Sequence, residues 1–215
     1  MHLKRQAIPK NWPVPRKDTK YIVKPGSNYE KGLPVLVILR DVLKVAQNRK
    51  EVKRAIFKKN ILVNGKPVKD GTRGVLLFDT ITIVPAKKSF RLTIGTNGKF
   101  HVEQIDQKDA GKKIAKIVDK KILKGKKVQL NFSDGKNLLS DVKCDTNDSA
   151  VLDLSSKKIE KIIPLKEKSK VFVYSGKHAG QTGTVMKTND AEKTAEVKFG
   201  DRTVNVLIKQ LIATE

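Results

Sequence analysis

The amino-acid sequence predicts a multidomain α+β protein. Two amphipathic helical segments and a hairpin occupy the first part of the chain, short alternating apolar runs follow, and two strands joined by a glycine-rich loop lie near the end. A chain of 215 residues suffices for one large domain or for two to three small ones, and these changes of pattern favour the latter. We therefore predict a basic arm over 1–32, a helix-helix-hairpin domain over 33–88, a mostly β central domain over 89–165 and a small β domain over 166–215.

The charge balance indicates the class of partner. The chain carries 46 Lys and Arg residues against 22 Asp and Glu residues, which gives a formal net charge of +24. The excess is largest in residues 37–90, with 13 basic and 4 acidic side chains. Self-repulsion on this scale disfavours a compact free protein, so we expect a polyanion to supply the missing charge, and nucleic acid is the first candidate.

Other classes of protein find little support in the sequence. It contains no run of 18 apolar residues and no amphipathic anchor, and its start lacks the apolar segment of a signal peptide, so we expect a cytoplasmic protein that is not bound to a membrane. Cys144 is the only cysteine, which excludes an internal disulfide, and His2, His101 and His178 show no ligand spacing. We therefore expect neither a structural metal nor a cofactor.

The arm, residues 1–32, is punctuated by prolines and shows no lasting hydrophobic period. Such a segment buries too little apolar area to offset its ordering entropy, so we expect it to be flexible until a partner holds it. Its basic residues interleave with Trp12, an arrangement that suits threading along RNA, where the ring can stack on an unpaired base. The alternative is a disordered tail with an incidental tryptophan. The candidate RNA-binding residues here are Lys4, Arg5, Lys10 and Trp12.

The first helix is predicted over Leu33–Gln47. Its leucines, valines and Ile38 form a wide apolar face, which we assign to the core. Arg40 and Lys44 lie on the remaining face. They are candidate RNA-binding residues, with a merely solvated face as the alternative.

The second helix is predicted to start near Arg49, because Asn48 followed by Glu51 has the character of a capping box. At about 100° per residue, Val52 and Ile56 fall on one side of the helix and five cations occupy an arc of about 180° on the other. Like charges four residues apart cost the isolated helix roughly 1 kcal/mol in total. We interpret the arc as a phosphate-binding face rather than a merely solvated one. Its members are Arg49, Lys50, Lys53, Arg54 and Lys58.

A hairpin is predicted next, because Asn64-Gly65 is a strong two-residue turn signal between Ile61–Val63 and a return strand that begins at Lys66. The turn places Lys66 beside the basic helix, as a further candidate for RNA binding. Residues 79–84 alternate as a half-buried strand should. The run Ile61–Val68 resembles the S4-type RNA-binding domain of ribosomal proteins, RNA-modifying enzymes and tyrosyl-tRNA synthetases. Pro67 departs from that pattern and should shorten the strand pair, because it removes a backbone donor.

The central domain is predicted to be mostly β with one helix. Alternating runs indicate strands at 90–94, 100–102, 128–132, 150–154 and 159–165. A helix is predicted from Asp106 to about Lys120, because the apolar residues between them share one helical face. Asp141, Asp145 and Asp148 form a dense acidic cluster in turn-like sequence. We interpret the cluster as a solvated loop, with a cation site as the alternative.

The last domain contains a strand, a glycine-punctuated loop and a second strand over Val171–Val185. Glycines permit positive φ and close backbone approach, so the loop can lie against a phosphate backbone. The loop is not a nucleotide P-loop, because no Gly-Lys-Ser or Gly-Lys-Thr opens a helix. Lys177 and His178 at its tip are candidate RNA contacts, and a tight turn without function is the alternative. The segment resembles the KOW motif, which implies a small SH3-like β-barrel.

The order of these segments resembles the S4e family, small-subunit ribosomal proteins of archaea and eukaryotes. The resemblance covers nearly the whole chain, and the ending at Glu215 is similar to the archaeal form. It implies a structural constituent of the small ribosomal subunit that binds rRNA and neighbouring ribosomal proteins, without catalysis and without a small-molecule substrate. It is carried by His2–Arg5 with Pro9 and Trp12, by Leu39–Asp41 with Leu43 and Ala46, by Val63–Lys66, and by the terminal glycine loop.

Two other functions remain as alternatives. An RNA-modifying enzyme would use the helix-helix-hairpin domain for targeting, but it needs a nucleophile or base with partners in a pocket. A transcription or translation factor would use the last domain to hold another protein. A factor should leave the ribosomal subunit at moderate salt, whereas an integral component should remain.

Overall fold

The computed structural model describes residues 2–27, 29–123, 127–140, 142–189 and 191–214. The chain forms two compact units. The first unit contains the residues up to Ile94 together with Lys99–Gly111, and the second contains Gly95–Gly98 together with the residues from Lys112 onward. Both units are mostly β, and the two α-helices of the described residues lie in the first. Neither of these helices is long and apolar enough to cross a membrane.

Among its described residues, the first unit has nine strands and two α-helices. Its elements are β1 (Leu3–Lys4), β2 (Tyr21–Ile22), β3 (Gly32–Pro34), α1 (Val35–Val37, continued by a π-helical turn over Ile38–Val42), α2 (Arg49–Phe57), β4 (Ile61–Val63), β5 (Lys66–Pro67), β6 (Gly74–Leu76), β7 (Thr80–Ile83), β8 (Lys88–Ile94) and β9 (Phe100–Ile105). The main sheet is antiparallel with the order β5-β4-β7-β8-β9. Strands β8 and β9, which the sequence placed in the central domain, therefore extend the sheet of the predicted hairpin.

Helix α1 is shorter than the predicted segment Leu33–Gln47. Its residues from Val35 to Leu39 are all buried, as the wide apolar face indicated. The helix ends because the backbone N–H of Leu43 donates to the carbonyl of Ile38, five residues back, and Lys44 adopts a left-handed φ of 52°. A left-handed residue after the last turn terminates a helix. Val45 is consequently exposed instead of packed on the core.

Helix α2 begins at Arg49 as predicted. The side chain of Asn48 accepts a hydrogen bond from the backbone N–H of Glu51 at 3.1 Å, and the Glu51 carboxylate accepts one from the backbone N–H of Gln47 at 2.7 Å. These reciprocal bonds satisfy donors at the helix start that lack an intrahelical partner. Val52 and Ile56 are buried, and this confirms the predicted apolar face.

The predicted Asn64-Gly65 turn is also confirmed. Both residues have positive φ, 52° and 72°, as a type I′ hairpin requires. The Asn64 amide donates to Asp79 at 2.8 Å and accepts from the backbone N–H of Thr80 at 3.0 Å, so the turn is tied to β7. Pro67 lies on the edge strand β5, where a missing donor is tolerated, and that strand has only two residues.

The arm differs from the flexible segment that we expected. Strands β1 and β2 pair, and four apolar side chains of the arm are buried. Arg5 donates to the carbonyls of Thr19 and Pro15 at 2.8 Å and to the Thr19 hydroxyl, and it forms an ion pair with Asp18. Proline punctuation hides this order from pattern analysis, because the burial is tertiary and has no sequence period. The buried apolar residues are Leu3, Ile8, Trp12 and Ile22.

The second unit contains two antiparallel sheets. The first has the strand order β12-β11-β10-β13-β14 and the second the order β18-β17-β16-β15-β19. Within the described residues the second sheet is open, with β18 and β19 at its edges, and no closed barrel is found. The ten strands are β10 (Lys112–Ile122), β11 (Val128–Phe132), β12 (Asn137–Leu139), β13 (Ser149–Asp153), β14 (Ile159–Ile163), β15 (Lys170–Val173), β16 (Thr182–Asn189), β17 (Thr194–Phe199), β18 (Arg202–Leu207) and β19 (Leu211–Ala213).

The helix predicted from Asp106 to about Lys120 is wrong. Only a short 3-10 turn over Asp109–Gly111 precedes β10, which occupies most of the predicted helix. The alternation was hidden because Lys113 and Lys116 are buried together with Ala115 and Ile117. Lysines are rarely buried unless they are paired, so both lysines were expected to be exposed. With both exposed, the remaining apolar residues fit a helix better than a strand.

The two buried lysines have partners inside the second unit. Lys113 Nζ lies 2.6 Å from the Asp134 carboxylate. Lys116 Nζ donates to the backbone carbonyls of Ile208 and, at 3.0 Å, Leu211. Lys116 therefore connects β10 to the segment that carries β19.

The acidic cluster is only in part the solvated loop that we expected, because Asp145 is exposed whereas Asp148 is not. Asp148 is buried, and its carboxylate accepts hydrogen bonds from the backbone N–H groups of Asp145 and Leu165 at 2.9 and 3.0 Å. Its charge therefore serves to satisfy backbone donors in the turn. Asp141 lies outside the described residues.

Candidate nucleic-acid interface

Helix α2 presents a dense group of exposed positive charges in the first unit. The cations that the sequence placed on one arc are all exposed: Arg49, Lys50, Lys53, Arg54 and Lys58. Among the described residues, none of them forms an ion pair within 4 Å. The Asn48 cap fixes where the helix begins, and Val52 and Ile56 fix which side is buried. These five charges are therefore held on one face and are available to phosphate groups.

A groove of about 570 Å³ lies beside this face. Its lining adds four residues that the sequence analysis did not single out: Phe57, Lys69, Asp70 and Gly71. The phenyl ring of Phe57 is 88% exposed. The sequence could have indicated that Phe57 is exposed, because it lies about 140° from Val52 on the helical wheel, inside the cationic arc. The full lining comprises Lys53, Arg54, Ile56, Phe57, Lys58, Lys69, Asp70 and Gly71.

The other candidate RNA-binding residues in the first unit differ in exposure and in whether their charge is already paired. Lys66 and Lys44 are exposed. Arg40 is half-buried and forms two hydrogen bonds of 2.8 Å with the neighbouring Asp41, so its charge is already paired. The hydrogen bond with Asp41 raises the pKa of Arg40, against a smaller opposing effect of burial. Arg40 is therefore a weaker candidate for a phosphate than the cations of α2.

Of the four candidate RNA-binding residues in the arm, two are exposed and two are buried. Lys4 and Lys10 are exposed. Trp12 is only 2% exposed, and its indole N–H donates to the Tyr29 carbonyl at 3.0 Å, so its ring is not accessible for stacking on a base. Arg5 is buried with its guanidinium engaged inside the arm. We leave Trp12 and Arg5 out of the proposed interface, because both hold the arm together.

The glycine loop of the second unit exposes Lys177 at its tip, whereas His178 is half-buried. The His178 ring stacks on Phe199, with ring centroids 5.7 Å apart and planes 15° apart. Gly180 has a φ of +86°, and a Cβ there would lie 2.1 Å from the Gly95 carbonyl oxygen. Glycine is therefore required by close approach to this chain's own backbone. A pocket of about 420 Å³ beside the loop is lined by Thr96, His178, Gly180, Gln181, Thr182, Phe199, Arg202 and Val204.

Comparison with known proteins gives consistent matches along the chain. A model described as Ribosomal family S4e matches residues 86–159, and a model described as the RS4NT domain matches residues 1–27. The small ribosomal subunit protein eS4 of Methanocella arvoryzae is 41% identical over 187 residues, which are 86% of this chain and 79% of the relative. The protein of the same name from Haloarcula marismortui is 34% identical over 213 residues, 97% of this chain and 88% of the relative.

A solved structure agrees with these sequence matches. The crystal structure of the 30S ribosomal protein S4e from Thermoplasma acidophilum superposes with a TM-score of 0.74 at 26% sequence identity, covering 85% of this chain and 94% of that chain. The resemblance predicted from the arm, the Val63–Lys66 turn and the terminal glycine loop is thereby confirmed. On the identity and the coverage of these relatives, this chain belongs to the S4e family of ribosomal proteins.

Proposed function

We propose that this protein is a structural constituent of the small ribosomal subunit and that it binds rRNA through several basic modules. Family membership supports the ribosomal role. The observation that carries the RNA contact is the face of α2, where five exposed cations form no ion pair within 4 Å among the described residues. Such a surface positions phosphates and reads the shape of folded RNA more than its sequence.

The proposed contacts follow the modules along the chain. The α2 cations and Lys66 form the main surface, Lys44 adds to it, and Lys4 and Lys10 contribute from the arm. Lys177 and His178 contribute from the terminal loop. We keep the segments 1–32, 33–88, 89–165 and 166–215 as the proposed modules, with the sheet of the second continued by β8 and β9. Neighbouring ribosomal proteins are the other proposed partners, and the proposed location is the ribosome in the cytoplasm.

For residues 166–215 we propose a KOW-type module with an SH3-like β-barrel. Five antiparallel strands that share an apolar core support this proposal. The register of β16 against β17 shifts between Val185 and Lys187, and an irregularity of this kind bends a strand, as a small barrel requires.

Charge reversal on α2 tests the RNA contact. We expect the double variant Lys53→Glu/Arg54→Glu to lose most of its incorporation into the small subunit, because each reversal replaces an attraction to phosphate by a repulsion. The measurement is co-sedimentation of tagged protein with the small subunit through a high-salt sucrose gradient. The matched control, Lys87→Glu/Lys88→Glu, makes the same charge change at two exposed residues that are not part of α2.

Each outcome of this experiment separates the alternatives. If the α2 double variant is incorporated as well as the control, α2 is not part of the RNA interface. Wild-type protein that leaves the subunit at moderate salt would instead favour a transcription or translation factor. Turnover on an rRNA or tRNA fragment would favour an RNA-modifying enzyme.

A further inference from the structure

The exposed ring of Phe57 is unusual for a residue of this helix. Val52 and Ile56 on the same helix are buried, whereas Phe57 points away from the core. On the helical wheel it falls between Lys53 and Lys50, in the middle of the cationic arc. An aromatic side chain left in water forgoes the favourable burial that it would otherwise obtain. A ring in this position therefore suits a partner that carries both negative charge and a flat apolar surface.

The groove that Phe57 lines has a matching mixture of chemistry. Ile56, Phe57 and Gly71 contribute apolar surface, and Lys53, Arg54, Lys58 and Lys69 contribute positive charge. Nucleobases are flat and stack on aromatic side chains, and their flanking phosphates are attracted by lysine and arginine. The two kinds of lining residue thus correspond to the two parts of a nucleotide.

The groove lining contains one carboxylate, and this group favours a base over a phosphate. Asp70 accepts a hydrogen bond of 2.5 Å from the Thr72 hydroxyl. This hydrogen bond lowers the pKa of Asp70, so the carboxylate is ionised at neutral pH. An ionised carboxylate repels a phosphate, but it accepts a hydrogen bond from the amino group of a base. The carboxylate therefore favours a base inside the groove and leaves the phosphates to the surrounding cations.

We propose that the groove lined by Phe57, Lys69 and Asp70 binds one unpaired nucleotide of rRNA, with its base stacked on the Phe57 ring. This inference rests on the proposed rRNA-binding function and adds to it a site for a single-stranded base. The four cations against one carboxylate favour RNA over an apolar segment of a neighbouring protein. That second occupant is an outcome of the tests below.

A fluorescence experiment tests stacking directly. The full-length Phe57→Trp variant is titrated with a single-stranded RNA of roughly 12 nucleotides and with a fully paired RNA duplex of the same length. The wild-type protein, whose only tryptophan is the buried Trp12, is titrated in parallel and its signal is subtracted. We expect the single strand to quench the new tryptophan and the duplex to leave it nearly unchanged at equal saturation. Equal quenching by both RNAs, or quenching by neither, would overturn the proposal.

Affinity measurements separate this inference from the function on which it rests. We expect Phe57→Leu to weaken binding of purified small-subunit rRNA by between roughly 5-fold and 150-fold, the usual loss for one stacked base. Phe57→Tyr, which keeps an aromatic ring, should bind as wild type, and so should Val45→Ala, which alters an exposed apolar residue outside the groove. Normal binding by Phe57→Leu while Lys53→Glu/Arg54→Glu fails would reject the stacking site alone. Normal binding by both would reject the α2 interface.

Cross-linking in the assembled subunit identifies the occupant. A photoreactive phenylalanine analogue at position 57 should attach to rRNA. Attachment to a ribosomal protein instead would overturn the proposal in favour of a protein contact.

Discussion

Two lysines of strand β10 are as buried as the aliphatic core around them. Lys113 and Lys116 are 1% and 2% exposed. Burying a charge is unfavourable unless it is paired and hydrogen-bonded, and each lysine meets this requirement in a different way. Lys113 pairs with a carboxylate that is also buried, whereas Lys116 donates to two backbone carbonyls.

The Lys113–Asp134 pair leads to a prediction about the free energy of unfolding. Burial alone would raise the pKa of Asp134, but the charges and hydrogen bonds of Lys113 and Lys136 together outweigh that effect, and the pKa is lowered. We expect Lys113→Met to lower the free energy of unfolding by roughly 3–5 kcal/mol, because Asp134 then loses its main partner. Urea denaturation of the full chain measures this change.

A neighbouring exposed pair provides the control for this variant. Lys112 pairs with Glu160 at 2.6 Å, but both side chains are about half exposed. Lys112→Met should therefore cost no more than about 1 kcal/mol. Equal losses from the two variants would show that burial is not what makes the Lys113–Asp134 pair important.

Lys116 makes a prediction about pH. Burial lowers its pKa from 10.5 to about 8. Between these values the unfolded chain binds the extra proton, so the free energy of unfolding should rise with pH across this window, by up to about 3 kcal/mol from this residue. The neutral amine keeps two N–H donors for its two carbonyl acceptors, so both contacts survive deprotonation.

The measurement is the difference in free energy of unfolding between the wild-type protein and Lys116→Met from neutral pH to pH 10.5. Taking the difference removes the contributions of Cys144 and Tyr174, whose pKa values burial raises. A difference that stays constant across this range would contradict the assignment.

At the level of whole elements, α2 and β10 show what the sequence could and could not predict. The cap and the apolar face of α2 are local features, and both were predicted correctly. Strand β10 was mistaken for a helix because each of its two faces buries a lysine, and the partners of these lysines lie far away in the sequence. The end of α1 was missed for a related reason, since no sequence rule indicates that Lys44 takes a positive φ.

The Asn48 cap can be tested at the same level. We expect Asn48→Ala to destabilise the chain by roughly 0.5–2 kcal/mol, because the backbone N–H of Glu51 loses its acceptor. Asn48→Ser keeps a suitable oxygen and should restore most of this stability. Chemical denaturation compares the three proteins, and similar values for the Ala and Ser variants would count against the cap.

Viewed as a whole molecule, the candidate interface was predictable only in part. The α2 cations could be predicted, because regular helical spacing fixes which side chains share one face of the helix. Trp12 and Arg5 were placed at the interface by composition alone, whereas the structure buries them. Lys69 was missed because it reaches the groove through the fold of the chain after the hairpin rather than through helical spacing.

The order of the arm gives a prediction for the full-length protein. Trp12 packs in the first unit, and the backbone N–H of Phe100 donates to the Asn11 carbonyl at 2.8 Å. We expect the free wild-type protein to resist trypsin within residues 1–32 despite the many lysines there. Trp12→Ala should make these sites cleavable, because it removes the largest buried side chain of the arm. Mass spectrometry of the fragments measures this, and equally rapid cleavage of both proteins would show that the arm is not held by its tryptophan.

The buried lysines of β10 also give the second unit an internal chemical reporter. Amine-acylating reagents react with neutral, accessible amines, so most lysines of this chain should be modified quickly at the surface. Lys113 and Lys116 are shielded in the folded state and can react only when the strands around them separate. The rate at which these two positions acquire label therefore follows the local opening of the second unit, without an engineered residue and within the assembled particle.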